Sequence, residues 1–247
     1  MDNRFLIVIP AFNEEANIER VLDGLLAAKL PIDILVVNDG SRDRTEERAR
    51  RYGEVIVLSH PCNLGYGAAL QTGYKYAVKA GYPFIIQFDS DGQHSPQDLP
   101  VIMAQLERGG TDIVIGSRFV RKDGTFETGI VKGAGIRFFR VLIRQLTGKR
   151  ISDPTSGLRG VSDRVFSYYS VRDRFPADFP DADILIQQIL MKFSIKEVPV
   201  RMKQREAGVS MHAGLKPAIY MCQILLSILV VLLRHKMTNE EVAYANG

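Results

Sequence analysis

An α/β fold, with a mostly parallel sheet and helices on both faces, is predicted by three features of this 247-residue chain. Short apolar runs of strand length alternate with stretches whose apolar residues recur at helical spacing. The resulting β-α-β-α order calls for a parallel sheet with covered faces. The apolar runs end in polar turns, PAFNE, NDGS and DSDGQH, two of them acidic. Sheets of this kind bind ligands beyond the carboxyl ends of their strands.

The elements follow in order. Phe5–Pro10 (FLIVIP) is an apolar run closed by a proline and reads as the first strand. Glu14–Ala28 carries Ile18, Val21, Leu22, Leu25 and Leu26 on one helical face. Ile34–Val37 is the second strand, with NDGS as its turn. Asp43–Tyr52 is a charged helix that Ser41 or Asp43 can cap. Val55–Leu58 is the third strand, Tyr66–Ala80 a helix stopped by Gly81, and Phe84–Phe88 the fourth strand. Ser95 and Pro96 open a helix that runs to Glu107, and Asp112–Ile115 is the fifth strand.

After Gly116 the chain turns basic. Arg118, Arg121, Lys122, Lys132, Arg137, Arg140, Arg144, Lys149 and Arg150 outweigh Asp123 and Glu127, and IRFFRVLIRQL interleaves arginine with aromatic and aliphatic residues. A second basic tract runs through Lys196, Arg201, Lys203, Arg205 and Lys216. The longest apolar run, Ala218–Leu233, follows Lys216–Pro217 and precedes Arg234, His235 and Lys236. As a helix it reaches about 24 Å, short of the roughly 30 Å of bilayer hydrocarbon. The expectation is an amphipathic or apolar helix lying in an interface or against a partner, with a buried core helix as the other reading.

Composition bounds the function classes. Hydrophobic residues at 46% and charged residues at 24% describe a folded globular chain. A formal charge of +4 is too small to argue for nucleic acid as a partner. Cys62 and Cys222 lie far apart, offer no metal-ligand spacing and suit a reducing compartment. The N-terminal MDNRFLIVIPAFNEE has no basic leader and no cleavage site, so a cytoplasmic location is expected.

Three motifs carry chemistry. In Asp89-Ser90-Asp91-Gly92-Gln93-His94, two carboxylates one residue apart repel each other unless a cation neutralises them. A hard ion such as Mg²⁺ or Mn²⁺ takes oxygen ligands and shares its shell with substrate phosphates. Gly92 permits a tight turn, and Gln93 adds a neutral oxygen. The bland alternative is a solvated strand-to-helix turn. In Val36-Val37-Asn38-Asp39-Gly40-Ser41, Asp39 at a strand end is placed to accept hydrogen bonds from a base or ribose, or to form a plain Asx turn. In Ile9-Pro10-Ala11-Phe12-Asn13-Glu14-Glu15, Pro10 ends a strand, Phe12 is free to lie against a base, and Glu14 and Glu15 suit a first helical turn.

In this order the three motifs resemble the inverting GT-A glycosyltransferases of family 2, a Rossmann-like fold, over nearly the whole chain. Within that family the chain looks most like the dolichol- or polyprenyl-phosphate glycosyltransferases. The supporting stretches are Asn63-Leu64-Gly65-Tyr66-Gly67-Ala68-Ala69, Gly116-Ser117-Arg118 and Asp153-Pro154-Thr155-Ser156-Gly157-Leu158-Arg159. The resemblance implies that Pro10, Phe12, Glu14 and Asp39 hold the nucleoside of a nucleotide-sugar donor. It implies that Asp89, Asp91 and Gln93 hold the metal, that Asp89, Ser90 and Asp91 also bind the nucleotide sugar, and that Arg118 binds phosphate at the reaction centre. Arg205-Glu206-Ala207-Gly208-Val209-Ser210 resembles the family's Arg-containing acceptor loop, which places Arg205 over the donor. Asn38 departs from the family's usual first Asp, whereas Asp39 is retained.

The acceptor decides the rest. A sugar hydroxyl needs a general base, for which Asp183 or Asp181 in FPDADILIQQ is the candidate. A polyprenyl phosphate has a second pKa near about 6 and needs none. It needs cations and a lipid-facing surface, which the Arg137–Leu146 stretch, Arg118, the Arg201–Arg205 tract and the C-terminal helix supply. Asp153 is expected to place the acceptor or the metal. The predicted organisation is a catalytic domain over residues 1–214 and an interfacial or partner-binding helix and tail over 215–247. Expected partners are the donor, a polyprenyl phosphate, and a membrane surface or small membrane protein, with a homo-oligomer as a further option.

Three rival readings are weaker. The DSDG turn partly resembles phosphatases with a nucleophilic Asp, but those carry it on the first strand followed by Thr, where Gln93 stands here. Gly65-Tyr66-Gly67 lacks the third glycine of a dinucleotide loop, with Leu70 in its place. The third is a donor-binding subunit that activates a membrane partner without catalysis. Arg164, His60, His212 and His235 receive no role.

Overall fold

The computed structural model describes residues 4–120, 129–176, 180–202 and 216–245. Strand β1 (Phe5–Ala11) is followed by α1 (Ile18–Ala27), β2 (Ile32–Asn38), α2 (Thr45–Ala49), β3 (Val55–Ser59), α3 (Tyr66–Ala80) and β4 (Phe84–Gln87). A 3-10 turn (Pro96–Asp98) leads into α4 (Leu99–Glu107) and β5 (Ile113–Ser117). Then come α5 (Ile130–Thr147), β6 (Arg159–Ser162), α6 (Asp163–Ser170), α7 (Ala182–Leu190), β7 (Ile195–Pro199) and α8 (Lys216–Ala245).

The strands form one sheet of order β3-β2-β1-β4-β6-β5-β7. All are parallel except β6, which runs antiparallel to both neighbours, β4 and β5. The mostly parallel sheet is thus as expected, with five of its strands legible as apolar runs. Strands β6 and β7 were not expected. The tetrapeptide Arg-Gly-Val-Ser of β6 contains no apolar run, and its hydrogen-bonding neighbours alone hold it as a strand.

Strand alternation builds two cores. Leu6, Val8, Leu35 and Val37 face α3, α5, α6, α7 and α8, whereas Phe5, Ile7, Ile9, Ile34 and Val36 face α1 and α4. Helix α1 starts four residues later than Glu14. The Asn13–Asn17 segment is held as turns by Thr45 Oγ1, which accepts the Glu14 N–H (2.8 Å), and by Asp43 Oδ2, which accepts the Glu15 N–H (3.1 Å).

The C-terminal helix has two unlike faces. One face joins the main core through buried Ile224 and Ile228, with Met221, Val231 and Leu232 packed beside them. The other face leaves Leu225, Leu226, Leu229, Val230 and Leu233 in solvent, Leu226 at 64% exposure. Among the described residues no helix is long and apolar enough to cross a membrane.

Candidate active site

Parallel strands end on one edge of the sheet, and that edge gathers the motifs. Pro10 and Ala11 close β1, Asn38 closes β2 ahead of Asp39, the Asp89–Gln93 turn follows β4, and Arg118 follows β5. Because β6 is reversed, its amino end lies at this same edge, and Gln87 and Ile115 both pair with Arg159. The Asp153–Leu158 turn that precedes β6 therefore enters the site.

Asp89 is tightly held. Its Oδ1 accepts the Tyr66 hydroxyl (2.8 Å), and its Oδ2 accepts from His94 Nε2 (2.9 Å). The His94 side chain is 1% exposed, stands edge-on to Phe88, and its Nδ1 has no hydrogen-bond partner among the described residues. Burial alone would push the Asp89 carboxyl up. The hydrogen bond and charge of His94, the Tyr66 hydroxyl and the nearby Arg159 cation outweigh it and hold the group below its usual range. Desolvation and the Asp89 charge push the Tyr66 phenol well up, so it stays a donor. Gly157 presses on this carboxylate: a Cβ there would lie 2.3 Å from Asp89 Oδ2.

The rest of the acidic turn is partly buried as well. Asp91 is half-buried, and its Oδ1 accepts the Gln93 N–H (3.0 Å). Gly92 sits at φ +76°, the left-handed conformation the turn needs. Ser90 is buried and donates to the Pro10 carbonyl (2.8 Å), tying the ends of β1 and β4 together. The oxygen donors of Asp89, Asp91 and Gln93 fit a hard divalent cation. Among the described residues no three or more His, Cys, Asp or Glu side chains converge as a complete shell.

Asp39 anchors a loop. Its Oδ1 accepts the Leu64 N–H (2.9 Å) and a bond from His60 Nδ1 (2.7 Å), and its Oδ2 accepts the Gly65 N–H (2.9 Å). His60 Nε2 in turn meets Thr72 Oγ1 at 2.8 Å. A carboxylate offers about four acceptor positions, so one remains on Oδ2 for a further donor. Asn38 fills a framework role: its amide donates to Glu46 and Ser59, and its Oδ1 accepts the Ser41 N–H. Phe12 is exposed beside this edge. Glu14 accepts from the Asn17 amide (2.7 Å).

Arg118 and Asp153 form one buried unit. Nε and the backbone N–H of Arg118 donate to Asp153 Oδ2 (2.7 and 3.0 Å), and Nη2 donates to Oδ1 (2.5 Å). Nη2 also reaches Thr155 Oγ1 (2.8 Å), and Nη1 lies 3.6 Å from Met202 Sδ. Glu197 on β7 fixes the turn by accepting the N–H groups of Ser152 and Asp153. The expected phosphate-binding cation and the expected placing acid are thus partners.

Asp183 lies deeper, in the first turn of α7, with Oδ2 bonded to the Ser227 hydroxyl of α8 (2.6 Å). Burial pushes its carboxyl up. Burial likewise pushes Asp181 up to about 6, with Asp183 and Asp89 adding repulsion and Arg159 and Arg118 opposing. Arg205 lies outside the described residues.

Sequence reading missed several members of the site. Tyr66, His94 and Gly157 lay inside quoted motifs without a role, and His60 was set aside. Arg159 is a buried guanidinium that, among the described residues, donates to three backbone carbonyls, those of Ser156, Pro180 and Pro154. An arginine opening a strand gave no local signal of this.

Comparison with known proteins points the same way. The sequence profile described as Glycosyl transferase family 2 matches residues 6–169. A polyprenol monophosphomannose synthase of Mycolicibacterium smegmatis is 31% identical over 219 residues, 85% of this chain and 82% of that protein. A UDP-N-acetylglucosamine–dolichyl-phosphate N-acetylglucosaminyltransferase of Methanococcus voltae is 30% identical over 220 residues, 81% and 86%. Glucosyl-3-phosphoglycerate synthase from Mycobacterium tuberculosis, solved with Mn²⁺ and UDP-glucose, superposes with a TM-score of 0.68 over 92% of this chain and 79% of that one, at 22% identity. The architecture is that of a GT-A fold.

Proposed function

The chain belongs to glycosyl transferase family 2, and from that premise we propose that it transfers a hexose, with inversion, from a UDP- or GDP-sugar to a polyprenyl phosphate at the inner face of a membrane. One observation carries the reading. The acidic Asp89–Gln93 turn, Asp39 and the Arg118–Asp153 pair share a single sheet edge. The lipid-phosphate relatives support the acceptor.

In this reading Pro10, Phe12, Glu14 and Asp39 line the nucleoside side. Asp89, Asp91 and Gln93 would hold Mg²⁺ or Mn²⁺, as the Mn²⁺ and UDP-glucose in the mycobacterial synthase suggest. Such an ion supplies Lewis-acid neutralisation of the diphosphate leaving group. Tyr66 and His94 keep Asp89 ionised and fix its carboxylate in place. Asp153 holds the Arg118 guanidinium in place, so that its charge is fixed before substrate arrives. Arg205 is assigned to the donor in this reading by the resemblance of its loop to the family's. A phosphate acceptor attacks as an anion and needs no base.

A hydroxyl acceptor on a glycan is the second reading. Asp181, with its proton affinity raised to about 6, suits a general base. Asp183 lies deeper, bonded to Ser227 of α8, and suits that role less well.

Residues 1–214 form the catalytic unit in this scheme, and 215–247 its membrane or partner attachment. Helices α5 and α8 flank α7. The bare face of α8 is followed by Arg234 and Lys236, and α5 exposes Arg137, Phe138, Val141 and Arg144. Apolar side chains beside cations suit an anionic bilayer surface. A small membrane protein or a second copy of the chain are the other occupants of that face.

The test is a thermal-shift panel of UDP- and GDP-sugars with Mn²⁺ or Mg²⁺, followed by transfer to radiolabelled undecaprenyl phosphate in vesicles. Asp91→Ala is expected to abolish metal-dependent donor stabilisation. Turnover that persists in EDTA with Asp91→Ala sinks the metal assignment.

A further inference from the structure

The buried carboxylate Asp183 links two parts of the molecule that sequence reading kept separate. Its Oδ1 accepts the backbone N–H of Asp181 (3.1 Å) and so shapes the turn that opens α7. Its Oδ2 accepts the hydroxyl of Ser227 (2.6 Å) from the middle of α8. Ser227 is half-buried and turned toward α7 by this bond, in the turn of the helix that buries Ile224 and Ile228.

From the same turn the connection runs toward the reaction centre. Arg159 Nη1 donates to the Pro180 carbonyl (3.3 Å), Nη2 to the Pro154 carbonyl (3.1 Å) and Nε to the Ser156 carbonyl (2.9 Å). Pro154 and Ser156 belong to the turn whose first residue, Asp153, holds Arg118. One hydroxyl, one carboxylate and one guanidinium therefore span the distance from the outer helix to the Arg118–Asp153 pair. Helix shifts at interfaces run to about 1–2 Å. Such a shift would carry a 2.6 Å hydrogen bond out of range.

We propose that Ser227 is a positioning residue that couples the seating of α8 on a lipid surface to the Pro180–Asp183 turn and, through Arg159, to the Arg118–Asp153 pair. The inference rests on the membrane reading given above. It adds a regulatory consequence: the enzyme turns over fastest when its outer helix is seated. Ser227 acts through Asp183 and touches neither donor nor acceptor.

The experiment uses the full chain and its Ser227→Ala and Ser227→Thr variants, with phosphatidylcholine–phosphatidylglycerol vesicles as the probe. Sedimentation reads vesicle binding, and amide hydrogen exchange across residues 153–159 and 180–186 reads the turns. In the parent, vesicles are expected to protect both segments. In Ser227→Ala, sedimentation stays unchanged while the protection falls about tenfold, the effect of losing one hydrogen bond to a charged group. Ser227→Thr, which keeps the hydroxyl, restores it. Ser227→Ala with parental vesicle-induced protection overturns the coupling alone. Failure of vesicles to sediment the parent chain overturns the membrane reading and the coupling with it. Loss of protection in Ser227→Thr as severe as in Ser227→Ala also overturns the coupling, since packing rather than the hydroxyl would then be responsible.

Discussion

Arg118 and Asp153 meet as a buried bidentate ion pair, their side chains 3% and 0% exposed, across 35 residues of sequence. Neither charge has bulk water to fall back on, so the pair stands or falls together.

Asp153→Ala leaves a guanidinium buried without its carboxylate. The expected loss is about 3–5 kcal/mol of unfolding free energy, read by urea denaturation. The double variant Asp153→Leu with Arg118→Met is expected to recover a large part of it, because the stranded charge is gone. A single variant as stable as the parent would mean that Arg118 finds another anion.

Gly157 has its Cα against the Asp89 carboxylate, with 2.3 Å between an added Cβ and Oδ2. Gly157→Ala must move Asp89 or the turn. The expected cost is about 1–3 kcal/mol of stability, with loss of the thermal shift that Mn²⁺ and a nucleotide sugar give the parent. A variant that keeps the full shift contradicts the placement of Asp89 in the donor site.

Asp181 gives the molecule a pH signature. Burial raises its folded pKa to about 6 from an ordinary 3.8. The unfolded chain therefore releases this proton first, and between roughly pH 4 and 6 the folded state binds more protons. This group's contribution is fully present below pH 4, is lost as pH rises to about 6, and changes no further above it. Asp181→Asn removes that trend, so the variant gains on the parent across the window and the difference then levels off. Denaturation curves at several pH values measure this, and a difference independent of pH would refute it.

Leu226 and Leu229 lie on the bare face of α8, at 64% and 52% exposure. Replacing both with Glu places two anions where an anionic surface is proposed to sit. Vesicle binding is expected to fall at least about tenfold, while the melting temperature and donor-induced shift stay near those of the parent. Unchanged sedimentation would move the lipid contact elsewhere.

Much of this was written locally. FLIVIP, FIIQF and their companions became strands because runs of three to six apolar residues have few other ways to leave water. The turns after them were polar because the sheet edge is where a parallel fold opens. The acidic turn after β4 was legible from two carboxylates and a glycine within four residues. Helix α3 was legible to its last residue because Gly81 ends it at φ +77°.

What the sequence could not specify were relationships made by direction and distance. The reversal of β6 decides that the Asp153–Leu158 turn reaches the same edge as Asp89, and nothing in Arg-Gly-Val-Ser encodes a strand, let alone its orientation. The His60–Asp39, Tyr66–Asp89 and Ser227–Asp183 bonds join residues 21, 23 and 44 positions apart. The amino-acid order by itself determined which segments avoid water and where the chain turns, since those depend on neighbours along the chain. Only the folded arrangement decided which charge meets which, because a buried ion or hydrogen bond takes its energy from groups brought close in space.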